Sequence, residues 1–143
     1  MFLIAHRGNI NGKNIDKENE PSYVLNAINK EFDVEVDVWY INNAFFLGHD
    51  SPQYKVDAQF LSNDKIWCHA KNIEALYQMT NYDNIHCFWH QTDDVTLTSK
   101  GYLWTFPGNK LTKNSISVKP DYEIFPGMCA GICCDYIGRY KNG

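Results

Sequence analysis

Polar and apolar residues alternate strictly over 33–40, with Val34, Val36 and Val38 on one face and Asp33, Glu35, Asp37 and Trp39 on the other. That period of two is the mark of a β-strand. Short apolar runs predict further strands at 2–6, 44–49, 65–70, 85–90, 102–106, 115–119 and 130–136. Asn42-Asn43 supplies a tight turn, so 33–40 and 44–49 should form a hairpin. Helical spacing occurs twice. Val24, Leu25, Ala27 and Ile28 follow Pro21, which suits a first helical turn, and predict a helix over 21–31. Ile73, Leu76, Tyr77 and Met79 follow Asn72, a good N-cap, and predict a helix over 73–80. Before the first of these helices, 9–20 is polar and turn-rich, a loop long enough to carry function.

The order strand, helix, strand, strand, helix, strand argues for a parallel sheet. A full eightfold barrel takes about 200 residues or more, whereas this chain has 143. The fold expected is α/β: a compact, reduced or distorted TIM-like (β/α) barrel with several crossover helices shortened or missing. No repeat or linker divides the chain, so one domain spans 1–143. Sheet surface left uncovered by missing helices would favour a homodimer.

Composition narrows the partners. The chain is 44% hydrophobic and 15% aromatic, enough to bury a core. Its net charge of −4, from 17 acidic and 13 basic residues without long runs, offers no broad footprint for nucleic acid. No apolar stretch approaches the roughly 18 residues of a membrane span, and the start MFLIAHRG does not read as a signal peptide. A cytoplasmic protein acting on a small molecule is expected. The five cysteines are odd in number and lack the C-x-x-C spacing of zinc modules, so reduced, mostly buried thiols are expected. Cys133 and Cys134 should point to opposite faces of a strand.

Candidate chemistry starts from the acidic stripe. Asp33, Glu35 and Asp37 could simply face water, as on any half-exposed strand. Two carboxylates two residues apart can instead share a hard cation, which offsets their mutual repulsion. His6-Arg7-Gly8 follows the first strand directly and joins an imidazole, a permanent cation suited to phosphate and a small residue. His49-Asp50 closes the hairpin with a second imidazole. Two histidines, a carboxylate pair and an arginine are the components for cleaving a phosphodiester.

In this order, IAHRG at 4–8, KENEPS at 17–22, DVEVDVWYINNAFFLGHD at 33–50, WCHAKN at 67–72 and GICCDY at 131–136 resemble the glycerophosphodiester phosphodiesterase family, within the phosphatidylinositol phospholipase C-like superfamily. The resemblance implies catalytic histidines at His6 and His49, phosphate contacts from Arg7 and Lys71, and metal ligation by Glu35 and Asp37. Glu18 and Asn19 match a glutamate-asparagine motif, although Lys17 and Glu20 replace its usual proline and threonine. Glu18 would lie near the metal, orient a histidine, or cap the first helix. Asp50 joins Glu18 and Asn19 as a supporting candidate.

Where the family shows glutamate-x-lysine, this chain has His69-Ala70-Lys71. Either His69 is a third metal ligand, moving preference toward later transition metals, or it does not bind. The implied cofactor is a divalent metal ion, Mg or Ca first, with Mn or Zn as alternatives. His90 would touch substrate or be a satisfied, partly buried histidine. Asp135 could orient a catalytic histidine. His86 reads as structural, and Trp39, Trp89 and Trp104 as core more than ligand platform. The implied activity is metal-dependent phosphodiester cleavage by histidine acid/base catalysis through a cyclic phosphate. The alternatives are a non-catalytic phosphoester-binding module and a lyase that releases the cyclic phosphate.

Overall fold

The two helices with clear periodicity form where expected, and both ends have a physical explanation. In the computed structural model, which describes residues 1–141, α1 spans Pro21–Asn29 with the proline in its first turn. It buries Val24 and Ala27 against the sheet. A second short helix, α2, spans Ala58–Leu61 behind the N-cap Asp57. The helix α3 (Ile73–Met79) is capped by Asn72, whose side chain accepts from the Ala75 N–H. The same amide also clasps the backbone of Tyr40, accepting from its N–H at 3.2 Å and donating to its carbonyl at 3.0 Å.

Among the described residues ten strands make up one sheet. In chain order they are β1 (Phe2–His6), β2 (Asp33–Ile41), β3 (Ala44–Leu47), β4 (Tyr54–Val56), β5 (Ile66–Ala70), β6 (His86–Trp89), β7 (Val95–Leu97), β8 (Leu103–Thr105), β9 (Ser115–Val118) and β10 (Gly131–Cys134). A parallel array runs β6-β5-β2-β1-β10-β9-β8. The strand β2 forks. Its first half pairs with β1 and β5, and its second half pairs antiparallel with β3 across the turn at Asn42-Asn43. Both asparagines have positive φ, 53° and 63°, as the tightest hairpin turn demands.

The expected TIM-like barrel does not form. The structure is a mixed, strand-rich sheet with three α-helices of 9, 4 and 7 residues. Among the described residues no ladder joins β6 to β8, and β7 runs antiparallel to β8. The reason lies in the connections: strand-helix alternation ends at α3, and the links from β6 to β10 carry no α-helix. A parallel strand without a crossover helix cannot repeat the unit that closes such a barrel.

The open sheet is nevertheless strongly curled, so that Phe88 on β6 and Trp104 on β8 bring their rings to 4.5 Å. Two apolar layers result. Ile4, Trp67, Phe88, Trp104, Ile116, Val118 and Cys133 pack together on the inner face. Ala5, Val34, Val36, Val38, Ile66 and Ile132 pack outward with Val24, Ala27, Ala75 and Met79 of the helices. Full burial of each larger aliphatic side chain contributes roughly 1.5–3 kcal/mol. All five cysteines are free and buried, with Cys133 in the inner layer and Cys134 in the outer.

Candidate active site

Strand register assembles the site. His6 pairs with Glu35 across β1 and β2, and Asp37 pairs with His69 across β2 and β5. All four side chains fall on the inner face, where Glu35 and Asp37 are only 2% and 1% exposed. The water-facing reading of the acidic stripe is therefore excluded. Asp33 is buried too, accepting from the Trp67 indole N–H at 2.9 Å.

Glu35, Asp37 and His69 each direct one ligand-type atom into a common space, all within 4.8 Å of one another. The Nδ1 of His69 lies 3.2 Å from Asp37 Oδ1 and 3.7 Å from Glu35 Oε2. Its Nε2 lies 2.9 Å from the carbonyl oxygen of His90, an acceptor only, so Nε2 carries a proton and donates. Burial works against charge on this imidazole, yet Asp37 and Glu35 outweigh it and raise its pKa to about 9. Burial likewise disfavours the Asp37 carboxylate, but His69, Arg7 and Asn19 hold its pKa below the usual carboxylate range.

A polar frame fixes these groups from behind. Asn19 donates to Asp37 Oδ2 at 3.0 Å and accepts from the Asp37 N–H at 2.9 Å. Arg7 donates to Glu18 at 3.0 Å and places Nε 3.1 Å from Asp37 Oδ2. Fully buried Asn9 donates to Glu18 and to Asp135, and accepts from the Tyr23 hydroxyl at 2.8 Å. Asp135 lies 2.8 Å from His6 Nδ1, which leaves His6 Nε2 facing Glu35 at 3.8 Å. Burial raises the Asp135 pKa, but His6 and Asn9 more than reverse this and hold it ionised. Gly8, at φ 93°, is needed because a Cβ there would meet the Tyr23 ring at 2.7 Å; its close approach is to this frame.

A cavity of about 390 Å³ opens over the cluster, lined among others by His6, Arg7, Glu35, His49, His69 and Lys71. His49 is half-exposed at its edge, with Nδ1 2.7 Å from the exposed Asp50. His90 also lines it, its ring stacked on Phe106 at 4.2 Å, and burial lowers its pKa. Trp89 and Trp104 form part of the wall, whereas Trp39 donates its indole N–H to the Gly48 carbonyl. His86 is buried, with Nε2 2.7 Å from the Thr98 hydroxyl oxygen. Glu18, Asn19 and Asp50 are outside the cavity lining; the first two brace Arg7 and Asp37. Sequence reasoning missed Asn9, Tyr23 and Lys119. Asn9 is the most legible of these, being next to His6-Arg7-Gly8 in the polar loop 9–20.

Glu35, Asp37 and His69 are the residues that could hold a divalent cation. Glu35 Oε1 and Asp37 Oδ1 are buried and have no hydrogen-bond partner among the described residues, although buried carboxylate oxygens are normally satisfied. A cation between them would supply what is missing. Comparison with protein-family models, with curated proteins and with solved structures found no match to this chain.

Proposed function

We propose that the protein is a metal-dependent phosphodiesterase of the glycerophosphodiester type, working in the cavity over Glu35, Asp37 and His69. The observation that carries this reading is the inward turn of Glu35 and Asp37 with orphaned oxygens, beside two imidazoles and Lys71. Glu35, Asp37 and His69 would hold the cation. When bound, it supplies positive charge against the phosphoryl oxygens as negative charge accumulates there.

The chain's own residues divide the remaining work. Asp135 fixes the proton of His6 on Nδ1, leaving the Nε2 lone pair to take a proton from a substrate hydroxyl adjacent to the phosphodiester. That oxygen bonds to phosphorus, the bond to the second alcohol breaks, and His49 at the cavity edge protonates the departing oxygen. Lys71 neutralises the phosphoryl group, and Arg7, paired with Glu18, holds Asp37 in place. The product is a cyclic phosphate, which is then hydrolysed; a lyase would release it, and phosphorus NMR of the product separates the two.

Assays on His6→Ala and His49→Ala test the scheme. Both should lose about 10²-fold or more in turnover of an alkyl diester with circular dichroism unchanged. The His49→Ala loss should shrink for a p-nitrophenyl diester, whose leaving group needs no proton. Wild-type rates in either variant would refute it.

A second reading has one observation in its favour. A protonated His69 can pair with Asp37 at 3.2 Å without a metal, as in a non-catalytic phosphoester-binding module. Metal titration followed by a product assay decides, since such a module binds ligand without releasing alcohol. Among the described residues no helix is long and apolar enough to cross a membrane. Our reading includes a small-molecule substrate and a cytoplasmic location. It also includes a homodimer.

A further inference from the structure

Two non-glycine residues that line the cavity have left-handed backbone, Arg7 at φ 56° and Lys119 at φ 45°. Each directly follows a parallel strand, β1 and β9 respectively, at the edge where the site is built. Contacts with Glu18 and Asp37 account for Arg7. Lys119 has no equivalent explanation. Its ammonium makes no ion pair or hydrogen bond among the described residues, acting on the Asp135 carboxylate only at longer range, and its N–H is committed to the Cys133 carbonyl at 2.8 Å. It also precedes Pro120, and a residue before proline is pushed toward extended backbone. Strain of this kind persists where the surrounding structure imposes it and concentrates at functional sites.

The sheet order places Lys119 opposite Lys71. Lys71 follows β5 and Lys119 follows β9, and the path between them is β5-β2-β1-β10-β9. Four strand spacings of about 4.8 Å separate them along the sheet, and the curl that joins Phe88 to Trp104 turns that separation into facing walls. The Glu35, Asp37 and His69 cluster belongs to β2 and β5, on the Lys71 side. Because Arg7 is neutralised by Glu18 and Asp37, Lys71 and Lys119 are the cavity's two lysine or arginine side chains without an ion pair among the described residues. A volume of about 390 Å³ is enough for a small ligand that reaches both.

We propose that Lys119 forms a second anion subsite facing Lys71. The preferred substrate is then a phosphodiester with a further phosphate or carboxylate on one alcohol arm. This rests on the phosphodiesterase reading and adds its substrate class. Lys71 meets the reacting phosphoryl group, Lys119 meets the terminal anion as a point charge with three donors, and a cationic arm is repelled.

The test uses three glycerophosphodiesters whose second alcohol ends in a hydroxyl, a trimethylammonium or a phosphate group, assayed with added magnesium or manganese. The phosphate-ended diester should exceed the hydroxyl-ended one at least tenfold in kcat/KM. Lys119→Met should bring that ratio close to one, and Lys119→Arg should keep most of it. Lys119→Gly, which suits the left-handed backbone, should melt no lower than wild type yet lose the discrimination. A wild-type ratio near one, a Lys119→Gly protein that still discriminates, or a Lys119→Met protein impaired equally on all three diesters would overturn the subsite. If no diester turns over, the phosphodiesterase reading fails, and calorimetry still decides the subsite. Propane-1,3-diyl bisphosphate should bind wild type at least tenfold more tightly than inorganic phosphate, with the advantage lost in Lys119→Met. Equal affinities would overturn it.

Discussion

His69 is held from behind by His90: its Nε2–H donates to the His90 carbonyl oxygen at 2.9 Å. The ring is thereby oriented with Nδ1 toward Asp37 and Glu35. A backbone acceptor on one imidazole nitrogen is the usual support for a metal ligand on the other. His69→Gln should weaken manganese binding about 10- to 100-fold, read by titration calorimetry. His69→Glu should move preference toward magnesium or calcium, since it exchanges nitrogen for oxygen. Unchanged affinities in both variants would show that His69 is not a ligand.

Asp135 acts on His6 and lies outside the cavity lining. Asp135→Asn keeps the shape of the group but removes the charge that holds His6 Nδ1–H at 2.8 Å. Turnover should fall about 10²-fold, with KM little changed and the acid limb of the pH profile displaced. A loss confined to KM would point to a purely structural role.

His86 predicts how the fold responds to acid. Burial, with Lys100 nearby, lowers its pKa from 6.5 to about 4, so the folded state holds it neutral. For a group depressed in this way, the stability is full above about 6.5 and is lost as pH falls toward 4. The shift corresponds to about 3 kcal/mol across that window. His86→Gln should flatten the decline in urea-unfolding free energy between pH 6.5 and 4. An equally steep decline would assign it to other groups.

Gly131 lies where β10 meets β1 and β9, paired with Phe2 and Ile116. A Cβ there would fall 2.7 Å from both the Cβ and the carbonyl oxygen of Phe2. Gly131→Ala should cost about 2 kcal/mol in urea unfolding. A neutral effect would mean that the sheet centre yields more readily than this packing implies.

Much of the local structure is legible in the sequence because its cause is local. The period-two stripe gives β2, Pro21 and Asn72 mark the helix starts, and the Asn42-Asn43 turn gives the hairpin. The short β4, β7 and α2 carry too few residues for any period to emerge. Sheet closure is not local: whether β6 reaches β8 depends on connections whose lengths and paths no period encodes. The same division holds at the site. Glu35 and Asp37 stand out by alternation, whereas their brace of Asn9, Glu18, Asn19 and Asp135 joins segments up to 126 residues apart. Asp135 had little beyond a strand-end position to commend it, and Lys119 had nothing.

The forked strand β2 makes the site intolerant of slippage. Gripped by β1 and β5 along its first half and by β3 along its second, it has no neighbour free to follow a change of register. A single-residue deletion inside it would exchange the two faces, delivering valines to the cavity and carboxylates to the oily layer beneath the helices. Insertions and deletions should therefore be tolerated in polar links that leave this strand untouched, such as 107–114, and not within 33–41.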